Sequence, residues 1–117
     1  MGSIPAQFSL ERLVGKTLTQ VALGLYDLQF GFGSRVFIQC VGRVIVELSG
    51  ASTLVYDHAS WGDISPLKDL AGRRVQSWSV DTPHQFSLTL SGDARLLFQC
   101  GDVPGEEFIV HPEILVV

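Results

Sequence analysis

Asp57-His58, with Ser60 two positions on, contains the residue types of a hydrolase relay: a carboxylate, an imidazole and a hydroxyl. A relay needs the carboxylate to orient the imidazole and the imidazole to reach the hydroxyl. Adjacent residues on a strand point to opposite sides, and the chain has no Gly-x-Ser-x-Gly elbow to present a serine. The segment therefore reads as a polar loop that meets solvent or a partner. His84 and His111 do not pair with His58 at the close spacing of a helical or finger-type metal site. With only Cys40 and Cys100 to add, a zinc site would need several long-range coincidences, so neither a metal nor a cofactor is expected. Glu106-Glu107 is a carboxylate pair of the kind glycoside chemistry uses. Beside the apolar run that follows, it reads as the solvated start of a strand. Gly31-Phe32-Gly33-Ser34 resembles a nucleotide loop only superficially, because a strand follows where a helix is required. No catalytic residue is assigned, and the chain is not expected to be an enzyme.

Charge narrows the partners. Eight Lys and Arg stand against twelve Asp and Glu, a net charge of −4 that would repel a phosphate backbone. From residue 81 onward the acids are Asp81, Asp93, Asp102, Glu106, Glu107 and Glu113, and the base is Arg95. An acidic region of this kind can steer a basic protein partner. Tyr56 and Trp61 are of the type that anchors protein interfaces. The expected partner-binding set is thus Tyr56, Asp57, His58, Trp61 and Asp63, with Asp102, Glu106 and Glu107.

These residues hang on a doubled unit. Leu13-Val14-Gly15-Lys16 is matched by Leu70-Ala71-Gly72-Arg73, and Arg35–Cys40 by Arg95–Cys100. The separation grows by three residues between the two matches, as an insertion in one turn would cause. The cysteines then end matching strands. Ser9 and Ser65 are placed to cap a short helical turn, Pro66 to begin one, and Gly15 and Gly72 to close it. Strands are expected at about 18–25, 28–32, 35–40 and 44–48, and again at 75–80, 85–90, 95–100 and 108–110, with a last one at 114–117. Gly33-Ser34 and Ser91-Gly92-Asp93 have hairpin-turn chemistry. Val36, Ile38 and Cys40 share one face, as do Leu96, Phe98 and Cys100; the opposite faces are mixed and expected to be half covered. The fold class is mainly β: one domain over 1–117, a β-sandwich or half-open barrel of two pseudo-twofold repeats with short helical turns. Repeat one spans about 9–49, a connecting loop about 50–65, and repeat two about 65–110.

At 117 residues with 46% hydrophobic and 17% charged side chains, the chain can bury a core without metals or disulfides. No segment reaches the roughly 18 apolar residues of a membrane span. The start, Met1-Gly2-Ser3-Ile4-Pro5-Ala6, lacks a basic stretch followed by an apolar one, so no export signal and a cytoplasmic location are expected. Reduced, buried cysteines follow from that compartment.

The tandem Leu-x-Gly-(Lys/Arg) units, each followed by a hairpin and an apolar strand, resemble a family of small bacterial β-proteins of unknown function. In that family two units are joined by an acidic loop, and the second ends in an acidic-aromatic strand, as Glu106-Glu107-Phe108 does here. The resemblance covers about 9–110 and departs at the turns, where Gly33-Ser34 and Gly92-Asp93 replace aspartate-glycine. It implies the fold and carries no catalytic residues. In size and charge the chain is also similar in type to immunity proteins of contact-dependent growth-inhibition systems. That likeness implies a cognate toxin domain as partner, a basic nuclease, neutralised by occlusion. The competing expectation is a small-ligand-binding β domain.

Overall fold

A computed structural model describes residues 4–33, 35–101, 107–111 and 115–116. Alternating apolar residues build the strands, and tight turns reverse them. In chain order they are β1 (Leu18–Leu23), β2 (Leu28–Phe32), β3 (Val36–Cys40), β4 (Arg43–Leu48), β5 (Ala51–Asp57), β6 (Ser60–Trp61), β7 (Val75–Thr82), β8 (Gln85–Leu90), β9 (Ala94–Gln99), β10 (Phe108–His111) and β11 (Leu115–Val116). Two 3₁₀ turns, Glu11–Leu13 and Ser65–Asp69, precede β1 and β7. One sheet has the order β1-β2-β3-β10-β11 and the other β6-β5-β4-β9-β8-β7. The expected mainly-β class holds, as two separate sheets face to face, a sandwich.

The doubled unit is visible in hydrogen bonds. Gly15 N–H donates to Val75 O, and Gly72 N–H donates to Leu18 O, each at 2.8 Å. Leu18 N–H donates to Arg73 O, and Val75 N–H to Lys16 O, again at 2.8 Å. These pairs exchange under a twofold axis running near the Thr17–Arg74 bridge. Gly15 and Gly72 both sit at positive φ, +87° and +94°, which an L side chain rarely adopts. Even the irregularities repeat, with a register shift between Leu18 and Gln20 in β1 and between Val75 and Ser77 in β7.

Each copy sends its fourth strand into the other copy's sheet. β4 pairs with β9, and β10 pairs with β3. The sandwich is therefore laced by its own chain at two crossovers. Cys40 and Cys100, expected at equivalent sites, are not equivalent. Val36 pairs with Phe32 and Cys40 with Leu28, whereas Ala94 pairs with Leu90 and Phe98 with Phe86. Counted from these equal-length turns, Cys40 corresponds to Phe98 and Cys100 to Gly42. The slip is two residues, so it keeps the inward face and is invisible to alternation. Both thiols are free; Cys40 is buried and Cys100 half-buried.

Aromatic rings fill the space between the sheets. Phe98 stacks on Phe86 at 4.7 Å and meets Phe30 and Phe108 edge-on at 6.0 and 5.6 Å. Each fully buried ring contributes about 1.5–3 kcal/mol by leaving water. The mixed outer faces are half covered as expected: Phe37 stacks on His111, and Arg95 reaches Glu47 and Ser87.

The segment expected as a connecting loop, about 50–65, is mostly sheet. β5 and β6 extend the second sheet beyond β4. Thr53-Leu54-Val55-Tyr56 supplies strand-favouring residues. A bulge between the Val44 and Ile45 pairings turns both Val55 and Tyr56 inward. The caps also shift: Ser9 Oγ accepts from Glu11 N–H inside the first turn, and Asp63, not Ser65, accepts at the start of the second.

Candidate functional site

Three of the residues singled out, Asp57, His58 and Glu107, meet at the β5–β6 hairpin. Asp57 pairs with Ser60, leaving His58-Ala59 as a two-residue turn. Both lie at positive φ, 47° and 67°. Such turns usually take Asn or Gly, and a residue with a Cβ is strained there by roughly 1–2 kcal/mol. Something must hold His58 in place, and its ring contacts supply it.

His58 Nδ1 lies 2.5 Å from Asp57 Oδ1, and Nε2 lies 2.6 Å from Glu107 Oε1. A neutral imidazole has one N–H, so only the imidazolium donates to both carboxylates. Partial burial opposes charging the ring, but the hydrogen bonds to Glu107 and Asp57 outweigh it and raise the His58 pKa above its ordinary value. Asp57 feels a desolvation cost too. It is overcome by His58 and by Arg43, whose Nε and Nη2 donate to Oδ2 at 3.3 and 3.2 Å, so its pKa is lowered.

Glu107 was expected on a solvated rim. It is buried, 2% exposed, because it fastens the crossover from β9 to β10. Its carboxylate accepts from Gly101 N–H at 2.9 and 3.1 Å, and its carbonyl accepts from Val41 and Gly42 N–H at 2.7 and 3.1 Å. A Cβ on Gly42 would come within 2.8 Å of the Phe108 ring, so the two crossovers touch only because Gly42 has none. Asp57, His58 and Glu107 thus tie a hairpin of one sheet to the strand entering the other.

The Asp57-His58-Ser60 relay weighed from residue types does not form here. The ring nitrogen that a relay would turn toward a nucleophile faces Glu107 instead. A cavity of about 100 Å³ adjoins it, lined by Arg43, His58, Gln99, Cys100 and Gly101. Burial and the nearby Glu107 raise the Cys100 pKa to about 11, so at neutral pH it is a thiol rather than a nucleophilic thiolate. No group of three or more His, Cys, Asp or Glu among the described residues is arranged to hold a metal.

The remaining candidates scatter. Tyr56 is fully buried and packs against half-buried Trp61, with ring centroids 4.5 Å apart, so Tyr56 is core rather than an exposed anchor. Asp63 accepts from Ser65 N–H at 3.0 Å and serves the second 3₁₀ turn. Asp102 and Glu106 lie outside the described residues. Of the other C-terminal acids, Asp81 is taken up by Ser79 and Gln85, with Arg95 3.8 Å away.

Sequence reasoning missed a second surface. Leu25 and Tyr26, at the tip between β1 and β2, are 84% and 74% exposed, and Leu23 on edge strand β1 is 49% exposed. Its signal was legible: Leu23-Gly24-Leu25-Tyr26-Asp27 puts large apolar residues into a turn, where polar ones are usual. Arg43, the partner of Asp57, was also missed, because that pairing crosses strands. Comparison with protein families, with curated proteins and with solved structures finds no match for this chain.

Proposed function

We propose that this protein binds and occludes a partner protein without chemistry of its own, and that the partner is a toxin domain it neutralises, in the manner of contact-dependent growth-inhibition immunity proteins. One observation carries the binding reading: Leu25 and Tyr26 stand almost wholly in water on a hairpin tip, continuous with half-exposed Leu23. Large apolar side chains at a tip gain nothing for the fold. In an interface they become anchors, and a tyrosine loses little rotamer freedom there. The hairpin is held by Asp27, whose Oδ2 accepts from Gln29 and Gln39 at 2.9 and 3.0 Å, so the tip is presented already ordered. The net charge of −4 favours a basic partner and speeds its encounter. Occlusion of the toxin's own substrate site would complete the mechanism.

The test is co-expression with toxin domains of contact-dependent growth-inhibition systems, beginning with any encoded beside this gene. Protection by the wild type, together with a complex of the two purified proteins, is the expected result. Absence of a complex at micromolar concentrations would overturn the reading. A small-ligand function draws support from a different feature. A groove of about 260 Å³ on the outer face of the first sheet gathers Gln20, Gln29 and Arg35 around Phe37, close to the lower size of ligand pockets.

A further inference from the structure

The two copies differ at one pair of matching positions in a way that leaves a space. Under the register of the shared junction, Trp78 in β7 corresponds to Val21 in β1, Leu10 to Leu67, and Glu11 to Lys68. In one copy the Trp78 indole bridges from its edge strand to the 3₁₀ turn, its Nε1–H donating to Glu11 Oε1 at 3.0 Å. Phe8 covers that indole edge-on at 6.3 Å and packs on Phe86 at 4.8 Å. In the other copy Val21 is too short to cross. Leu28 holds the position of Phe86, and the position corresponding to Phe8 is exposed Ser65. What remains is a cleft of about 250 Å³ lined by Val21, Leu23, Ile64, Leu67 and Lys68.

We propose that this cleft receives an aromatic side chain of a partner protein, carried beside a carboxylate that meets Lys68. The filled copy shows what the geometry accepts: a ring lying between the edge strand and the turn, with a polar contact at its rim. The polarity of that contact is inverted. Glu11 accepts from the indole in the filled copy, whereas Lys68 can only donate. Lys68 is exposed and has no ion-pair partner among the described residues, and the acid ahead of the turn, Asp63, is engaged with Ser65. Charge complementarity therefore calls for a carboxylate in the occupant. The cleft continues through Leu23 toward the exposed tip at Leu25 and Tyr26, so an occupant here would join the surface argued above. This inference deepens that reading by naming what the partner presents.

The experiment uses methyl-labelled full-length protein and two probes, N-acetyl-tryptophan, which has a carboxylate, and its amide, which has none. The acid should shift the methyl signals of Val21, Leu23, Ile64 and Leu67 saturably in the millimolar range, and the amide should bind several-fold more weakly. Val21→Trp, which restores the sister copy's residue, should abolish these shifts. If that variant does not fold, Lys68→Glu decides: it should erase the advantage of the acid over the amide. Shifts spread over the surface, or unchanged in both variants, would overturn the proposal. So would sedimentation showing a dimer that Val21→Trp disperses, since the occupant would then be a second copy. Because the probes need no toxin, a cleft that binds them beside a toxin that does not bind would sink the immunity reading alone.

Discussion

The two copies of the repeat share a junction and part ways at their crossovers. In the first, β3 passes to β4 through Val41 and Gly42 alone. In the second, β9 reaches β10 over a longer path, and that path ends on Glu107, buried and bound to His58. The short crossover needs no fastening because its two N–H groups already donate to the Glu107 carbonyl. The long one would cost more to order, and an ion cluster holds it. The copies diverge again beside the edge strands, where one is closed by Trp78 and the other is open at Val21. The copies thus differ in two places, a crossover fastened by Glu107 in one and an edge left open at Val21 in the other.

The largest expected effect comes from breaking the fastening. Glu107→Ala removes the buried acid, strands a strained His58 turn and frees the crossover; a loss of about 3–5 kcal/mol is expected in urea unfolding. A loss under about 1 kcal/mol, the scale of an exposed pair, would show that the corner is incidental. Next, Trp78→Val makes the closed copy resemble the open one. It should cost about 2 kcal/mol, less than full Trp-to-Ala truncation because the indole is only half-buried. Val21→Trp should cost little, and Val21→Trp with Lys68→Glu should be more stable than Val21→Trp alone, since the pair then copies Trp78 and Glu11.

The smallest effect is in pH. The folded-state pKa of His58 is raised, so its stabilisation is complete below the ordinary histidine value of about 6.5 and is lost as pH rises through the folded value. The folded-state pKa of Asp57 is lowered, so its contribution is complete above the ordinary value of about 3.9 and is lost as pH falls through the folded value. The corner is tightest between these limits. Denaturation midpoints followed from mildly acid to alkaline pH should fall on the alkaline side, and His58→Gln should remove that fall. An identical profile in the variant would mean that His58 is not the titrating group.

The fold was legible where local chemistry and pairing agree. Gly15 and Gly72 close the same turn in both copies, and the alternation of Val36, Ile38, Leu96 and Phe98 sets the inward faces correctly. The strand at Ala51–Asp57 was not recognised because its far turn, His58-Ala59, adopts positive φ without Gly or Asn. The cysteine pairing misled because a two-residue slip leaves every side chain on its expected face. At the site, Asp57 and His58 were found from residue type alone, but their partner Glu107 lies 49 residues away, brought in by a crossover no local pattern encodes. Glu107 read as solvent-facing because its neighbour Glu106 and the net charge suggested a rim. Tyr56 read as an anchor because the bulge that turns it inward arises only from pairing with β4.

Under the proposed function the partner would sit on the β1 edge and its tip, where Leu23, Leu25 and Tyr26 are exposed, whereas residue types alone pointed to the β5–β6 hairpin. Dissociation kinetics of Tyr26→Ala and Trp61→Ala from a toxin domain that the wild type binds test this most directly. The account predicts that Tyr26→Ala speeds dissociation by at least about tenfold, the equivalent of roughly 1.4 kcal/mol, while folded Trp61→Ala dissociates like the wild type. Fast dissociation of Trp61→Ala with Tyr26→Ala unchanged would contradict it.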